Sequence, residues 1–113
     1  MRFMSIYRTE ETDVPPKCPD ENPRMGEFIA EMTQSGVLIA TGGCLPSALG
    51  ARVRANGGKL NVTDGPFTET KEVIAGFAII ECGSKAEAIE LARRFLEVVG
   101  GNGESEVRQM AEF

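Results

Sequence analysis

The residue in this chain with the most scope for chemistry is an acid placed at a stiff corner. Asp64 opens the run Asp64-Gly65-Pro66-Phe67. There a turn former, a residue free to take positive φ and a ring-locked φ follow one another. The proline also biases Gly65 toward extended backbone. A carboxylate on such a corner can serve as a general base or orient a ligand in a cleft. It can equally cap the turn by accepting from main-chain amides. Arg52 and Arg54 stand two apart in a strand-like run and so face one side, where planar guanidinium groups suit a carboxylate or phosphate. If that side meets solvent, they are charges on an edge strand. Lys71 is close enough in sequence to reach Asp64 across the corner, although Glu69, Lys71 and Glu72 also read as a solvated, mutually paired run. Ser47 can donate a hydrogen bond into a pocket but has no base to make it a nucleophile. Together with Gly65, Pro66 and Phe67 these residues form the expected site. In it Asp64 is acid or base and the others hold a small organic anion.

The whole-chain composition narrows the choices. The 113 residues have the size of one domain, with 42% apolar content ordinary for a globular protein. Acidic residues outnumber basic ones 17 to 12, giving a net charge of −5 with no basic block, which argues against nucleic acid as a partner. No apolar run approaches the roughly 20 residues of a membrane span. The start, Met-Arg-Phe-Met-Ser-Ile-Tyr-Arg, turns polar too soon for a signal peptide, so a cytoplasmic protein is expected. Cys18, Cys44 and Cys82 are odd in number and lack metal-site spacing, which implies reduced thiols and neither a disulfide framework nor a metal. No cofactor is expected. There is no histidine, which removes imidazole from every catalytic scheme. Cys44 follows two glycines with no cation beside it in sequence, so a reactive thiol is the weaker reading.

These residues need elements to position them. Arg2 to Tyr7 alternates, with Phe3, Ser5 and Tyr7 on one side and Met4 and Ile6 on the other, as a strand does. A polar loop with Pro15, Pro16, Pro19 and Pro23 follows. Asn22 is placed to cap a helix whose first turn holds Pro23. Met25, Phe28, Ile29 and Met32 then form one helical stripe ended by Gly36. Val37 to Thr41 is a short β-branched strand. A loop from Cys44 to Gly50 leads to two alternating runs flanking Ala55-Asn56-Gly57-Gly58, a strong hairpin signal. Val73 to Glu81 reads as a central strand, with Gly76 marking a close backbone approach. Ser84 and Glu87 form a capping box. Behind it an apolar face runs through residue 99, with Arg93 and Arg94 near the end that favours positive charge. Glu104 to Phe113 alternates as a last strand. The order β-α-β, hairpin, β-α-β predicts a two-layer α+β sandwich with both helices on one face of an antiparallel sheet. The other face would carry Phe3, Tyr7, Phe77 or their strand neighbours. Such a face usually pairs with a second copy, so a homodimer with a cavity between or beside the sheets is expected.

One resemblance covers almost the whole chain. It runs through Gly36-Val-Leu38, Leu45-Pro-Ser47, Gly50-Ala-Arg-Val-Arg54, Gly57-Gly-Lys59, Val62-Thr-Asp-Gly-Pro-Phe67, Glu69, Lys71-Glu72, Ile74-Ala-Gly-Phe77, Ser84-Lys-Ala-Glu-Ala88 and Glu106-Val-Arg-Gln109. The sequence resembles the YCII-related family, in particular the branch marked by an Asp-Gly-Pro-Phe motif. The resemblance implies a ferredoxin-like fold that pairs into a dimeric α/β barrel type of assembly. Some members sit beside or are fused to alternative sigma factors, which implies, as the alternative to an enzyme, a sensory or protein-interaction module. A relative in the wider superfamily is similar to lactone-processing enzymes that act through a His-Asp pair. The acid at a rigid corner with paired arginines upstream makes lyase or isomerase chemistry at Asp64 the expected reaction, if the protein is an enzyme. Many relatives carry a histidine in the first helix; the matching position here is Met25, which leaves Asp64 without that partner.

Overall fold

Alternation along the first strand decides which face of the sheet the helices cover. The computed structural model describes residues 1–11, 22–67 and 71–111. Its elements are β1 (Arg2–Thr9), α1 (Pro23–Gln34), β2 (Leu38–Gly43), a 3-10 turn (Ser47–Leu49), β3 (Ala51–Asn56), β4 (Lys59–Asp64), β5 (Val73–Glu81), α2 (Lys85–Val99) and β6 (Gly103–Gln109). Four strands form one antiparallel sheet in the order β2-β5-β1-β6. Phe3 lies opposite Ile80 and Gln109, Ser5 opposite Ala78 and Val107, and Tyr7 opposite Gly76 and Ser105. This register sends Phe3, Ile80 and the partly buried Ala78 and Val107 into the core beneath Ala88 and Leu91 of α2. Phe3 is only 2% exposed. The Tyr7 ring meets Phe95 of α2 edge-on at 5.2 Å. Phe3 and Tyr7 therefore both belong to the helix-covered face. Their neighbours Met4 and Ile6, paired with Ile79 and Phe77, occupy the open one. Ion pairs from Arg2 to Glu81 (3.1 Å) and from Arg8 to Glu106 (2.9 Å) flank that apolar strip.

The helix ends follow local chemistry. The Asn22 side chain accepts from the Met25 amide at 3.2 Å, and Gly36 takes φ 79° beyond the end of α1. Ser84 Oγ accepts from the Glu87 amide, while the Glu87 carboxylate accepts from Gly83 rather than from Ser84 itself. Arg93 and Arg94 do not serve the end of α2, whose last turn holds no basic residue. Arg94 instead reaches Glu31 of α1 at 3.0 Å, and Arg93 pairs with Glu90. A cross-helix carboxylate within reach outcompetes a partial charge at the helix end.

The hairpin is a separate two-stranded ribbon, β3 with β4. Its turn is Gly57-Gly58, at φ 57° and 85°, and Asn56 pairs with Lys59 as the last strand residue. A two-residue turn of this kind needs positive φ at both positions, which two glycines adopt more easily than Asn-Gly. Pro15, Pro16, Pro19, Cys18, Glu69 and Phe113 lie outside the described residues. No helix among the described residues is long and apolar enough to cross a membrane.

Candidate functional site

The Asp64–Phe67 corner is fastened to the 3-10 turn. The Gly65 amide donates to the Gly50 carbonyl at 2.9 Å, and the Phe67 amide donates to Ser47 Oγ at 3.2 Å. Ser47, a buried polar residue, gives both its amide and its hydroxyl hydrogen to the two oxygens of Glu11. A side chain at position 65 has no room: its Cβ would lie 2.6 Å from the Ser47 carbonyl carbon and 3.3 Å from Ala48 Cα. The Arg52 guanidinium lies 3.9 Å over the Phe67 ring, a cation–π contact. Ser47 thus spends its hydroxyl on Glu11 and Phe67 rather than on a pocket. The corner binds the base of the ribbon to the end of β1.

The Ser47 hydroxyl, and after it the Ser47 amide, hold the Glu11 carboxyl below the usual carboxylate range. A depressed pKa in the folded state contributes stability above the unfolded-state value that is lost as pH falls through the folded one. The link should therefore be intact at neutral pH and dissolve in acid. In Glu11→Gln, the thermal midpoint is expected to start below wild type at pH 7, with the gap closing at acid pH. A gap that stays constant with pH would show that the carboxylate charge plays no part.

Asp64 sits elsewhere. It ends β4, is exposed, and pairs with Ala51. Register puts it on the ribbon face that carries Val53, Val62, Ala55 and Leu60, while Arg52 and Arg54 share the opposite face with Thr63 and Asn61. No hydrogen bond or ion pair engages the Asp64 carboxylate among the described residues, and Lys71 is exposed without an ion pair there. The chain's own register does not bring Asp64 together with the arginines.

The space that could hold a ligand lies between the helix pair and the sheet. It is a cavity of about 590 Å³. Antiparallel pairing of both β1 and β2 to β5 brings the C-terminal ends of β1 and β2 to one end of the sandwich. The start of α1 and the finish of α2 arrive at the same end. There Glu10, Glu11, Cys44 and Pro46, all exposed, border the opening. The wall farther in is apolar, with Phe28, Ile29, Leu38, Leu91 and Phe95, and carries the phenol of Tyr7. None of the eight residues expected to form a site, Asp64 and the 64–67 corner included, lines this hollow. Met25, the position where the resemblance places a histidine, does line it, as does Cys44. Glu10 and Glu11 had no distinguishing mark in a polar stretch; the available cue was that they directly continue β1. No group of three or more His, Cys, Asp or Glu is placed to hold a metal ion among the described residues.

Two β-α-β units whose strands interleave as β2-β5-β1-β6, with both helices on one face, define a ferredoxin-like α+β protein. The chain belongs to the YCII-related domain family, which matches residues 1–113. It is 37% identical over 78 residues to an uncharacterised protein of Rhizobium meliloti (strain 1021). That stretch covers 69% of this chain and 63% of the relative, so the chain matches less than two thirds of that protein's length.

Proposed function

We propose that the protein binds a small, largely apolar molecule in the cavity between its helix pair and its sheet, and that it works as a homodimer. The observation that carries the binding reading is the cavity itself. About 590 Å³ falls within the range of pockets that enclose small ligands, roughly 300–1,000 Å³. Its few polar groups, among them Ser5, Tyr7 and Thr9, converge from one strand on an otherwise apolar wall. The dimer reading is supported by the open sheet face with Phe77, 41% exposed, beside Ile6. The ribbon adds to it: Val53, Leu60 and Val62 are 67%, 72% and 67% exposed, and an isolated two-stranded hairpin is marginal without a surface to rest on.

The lyase or isomerase chemistry expected of Asp64 needs that acid beside the ligand. Within one chain Asp64 does not line the cavity and sits on the ribbon face turned away from Arg52 and Arg54. Binding is thus the reading the geometry favours, and catalysis by Asp64 belongs to it only if a partner's ribbon closes the cavity.

The neutral fluorophore N-phenyl-1-naphthylamine tests the binding reading. Wild type is expected to bind it saturably at about one per chain, and Ala92→Trp, which grows an indole into the cavity, to weaken binding about tenfold or more. Equal binding by the two proteins would refute the cavity as the site. Light scattering on the same samples checks the pairing, which a monomer at micromolar concentration would contradict.

A further inference from the structure

We infer that the cavity is selective for an apolar molecule with a protonated amine at its polar end, and that it discriminates against carboxylates and phosphates. This rests on the cavity being the binding site. Among the described residues, the only charged side chains that line it are Glu10 and Glu11, and both border its open end. Glu11 is bonded to an amide and a hydroxyl, both neutral donors, so its negative charge is not cancelled. Those bonds favour the ionised carboxyl, which keeps the charge in place across neutral pH.

The cations among the described residues are placed elsewhere. Arg8 leaves β1 on the opposite face of the sheet and pairs with Glu106. Arg94 is held by Glu31, and Arg52 lies over Phe67 on the ribbon. Arg24 adjoins Met25 in α1 but does not line the cavity. The helix ends do not reverse the sign. The start of α1, with its partial positive charge, and the finish of α2, with its partial negative charge, arrive at the same end and oppose each other. The Met25 and Gly26 amides of the first turn of α1 are already spent on Asn22, and the last turn of α2 has no basic residue. Among the described residues, what remains is two exposed carboxylates at the opening of an apolar pocket, and they set the sign of the field at its entrance. An anion entering there loses its hydration and meets like charge. An ammonium group meets acceptors in Glu10, Glu11 and the hydroxyls of Tyr7 and Thr9 while its alkyl body fills the interior.

Three ligands of equal length separate these possibilities: octylammonium, octan-1-ol and octanoate, titrated calorimetrically into the full chain at pH 7 and low salt. Octylammonium is expected to bind at least tenfold more tightly than octanoate, with octan-1-ol between them. Glu10→Lys changes an exposed side chain without disturbing the Ser47 contacts, and is expected to shrink that ratio several-fold. High salt is expected to narrow it as well. Octanoate binding wild type as tightly as octylammonium would overturn the charge selectivity while leaving the cavity as a binding site. Absence of binding by all three would overturn the cavity reading, and the selectivity with it.

Discussion

Gly65→Ala is expected to destabilise the protein by about 3 kcal/mol, a large loss for one methyl group. The added Cβ would overlap the Ser47 carbonyl and stand 3.3 Å from Ala48 Cα. Both neighbours are backbone, so no rotamer change relieves the clash. Relief requires the 3-10 turn to move away from the corner. That movement would break the Phe67–Ser47 and Gly65–Gly50 hydrogen bonds and pull Ser47 off Glu11. Urea unfolding should show the loss, and hydrogen exchange at Gly65 and Phe67 should rise with it. Gly43→Ala serves as the control, because its Cβ would meet only the Ala75 carbonyl at an ordinary 3.9 Å. Equal midpoints for Gly65→Ala and wild type would mean that the corner is not docked on Ser47.

Phe3→Ala is expected to cost about 4 kcal/mol, in the range for deleting a buried aromatic ring. Phe3 packs with Ile80 and Ala88 at the start of β1, with Val107 of β6 and Leu91 of α2 around them. The cavity opens where β1 finishes, so Phe3 anchors the closed end of the sandwich and nothing compensates for a void there. A domain of this size holds roughly 5–15 kcal/mol in total. The variant should therefore be folded but marginal, with a strongly lowered thermal midpoint. A loss below about 1 kcal/mol would place the packing centre elsewhere.

Much of the architecture is legible in the sequence because its signals are local. Met25, Phe28, Ile29 and Met32 repeat at helical spacing; Asn22 with Pro23 and Ser84 with Glu87 mark helix starts; β1 sends Phe3, Ser5 and Tyr7 to one face and Met4 and Ile6 to the other. The turn of the ribbon shifted by one residue because Gly57-Gly58 and Asn56-Gly57 compete for the same corner. Arg93 and Arg94 found partners in Glu90 and Glu31, and Glu31 lies on another helix that helix-end electrostatics does not see.

The site was less legible for a different reason. Stiffness at Asp64–Phe67 is a local property, but its purpose depends on Ser47 and Glu11, which only the tertiary fold brings together. Any hairpin closed by an even number of residues pairs even positions with odd ones. Asp64 and the two arginines must then face opposite ways, a consequence contained in the sequence that emerges only once register is imposed. The cavity has no motif at all. It comes from helices that pack closely on Phe3 at one end of the sheet and stand away from it at the other.

The most direct test of the binding reading is a titration of octan-1-ol followed through assigned methyl signals. Ile29, Leu38, Leu91 and Val99 line the cavity, whereas Val53, Leu60 and Val62 stand on the ribbon. The predicted result is a saturable shift of the first four with the ribbon methyls unchanged. Shifts confined to the ribbon or to Ile6 and Ile79 of the open sheet face, or no saturable shift anywhere, would contradict it.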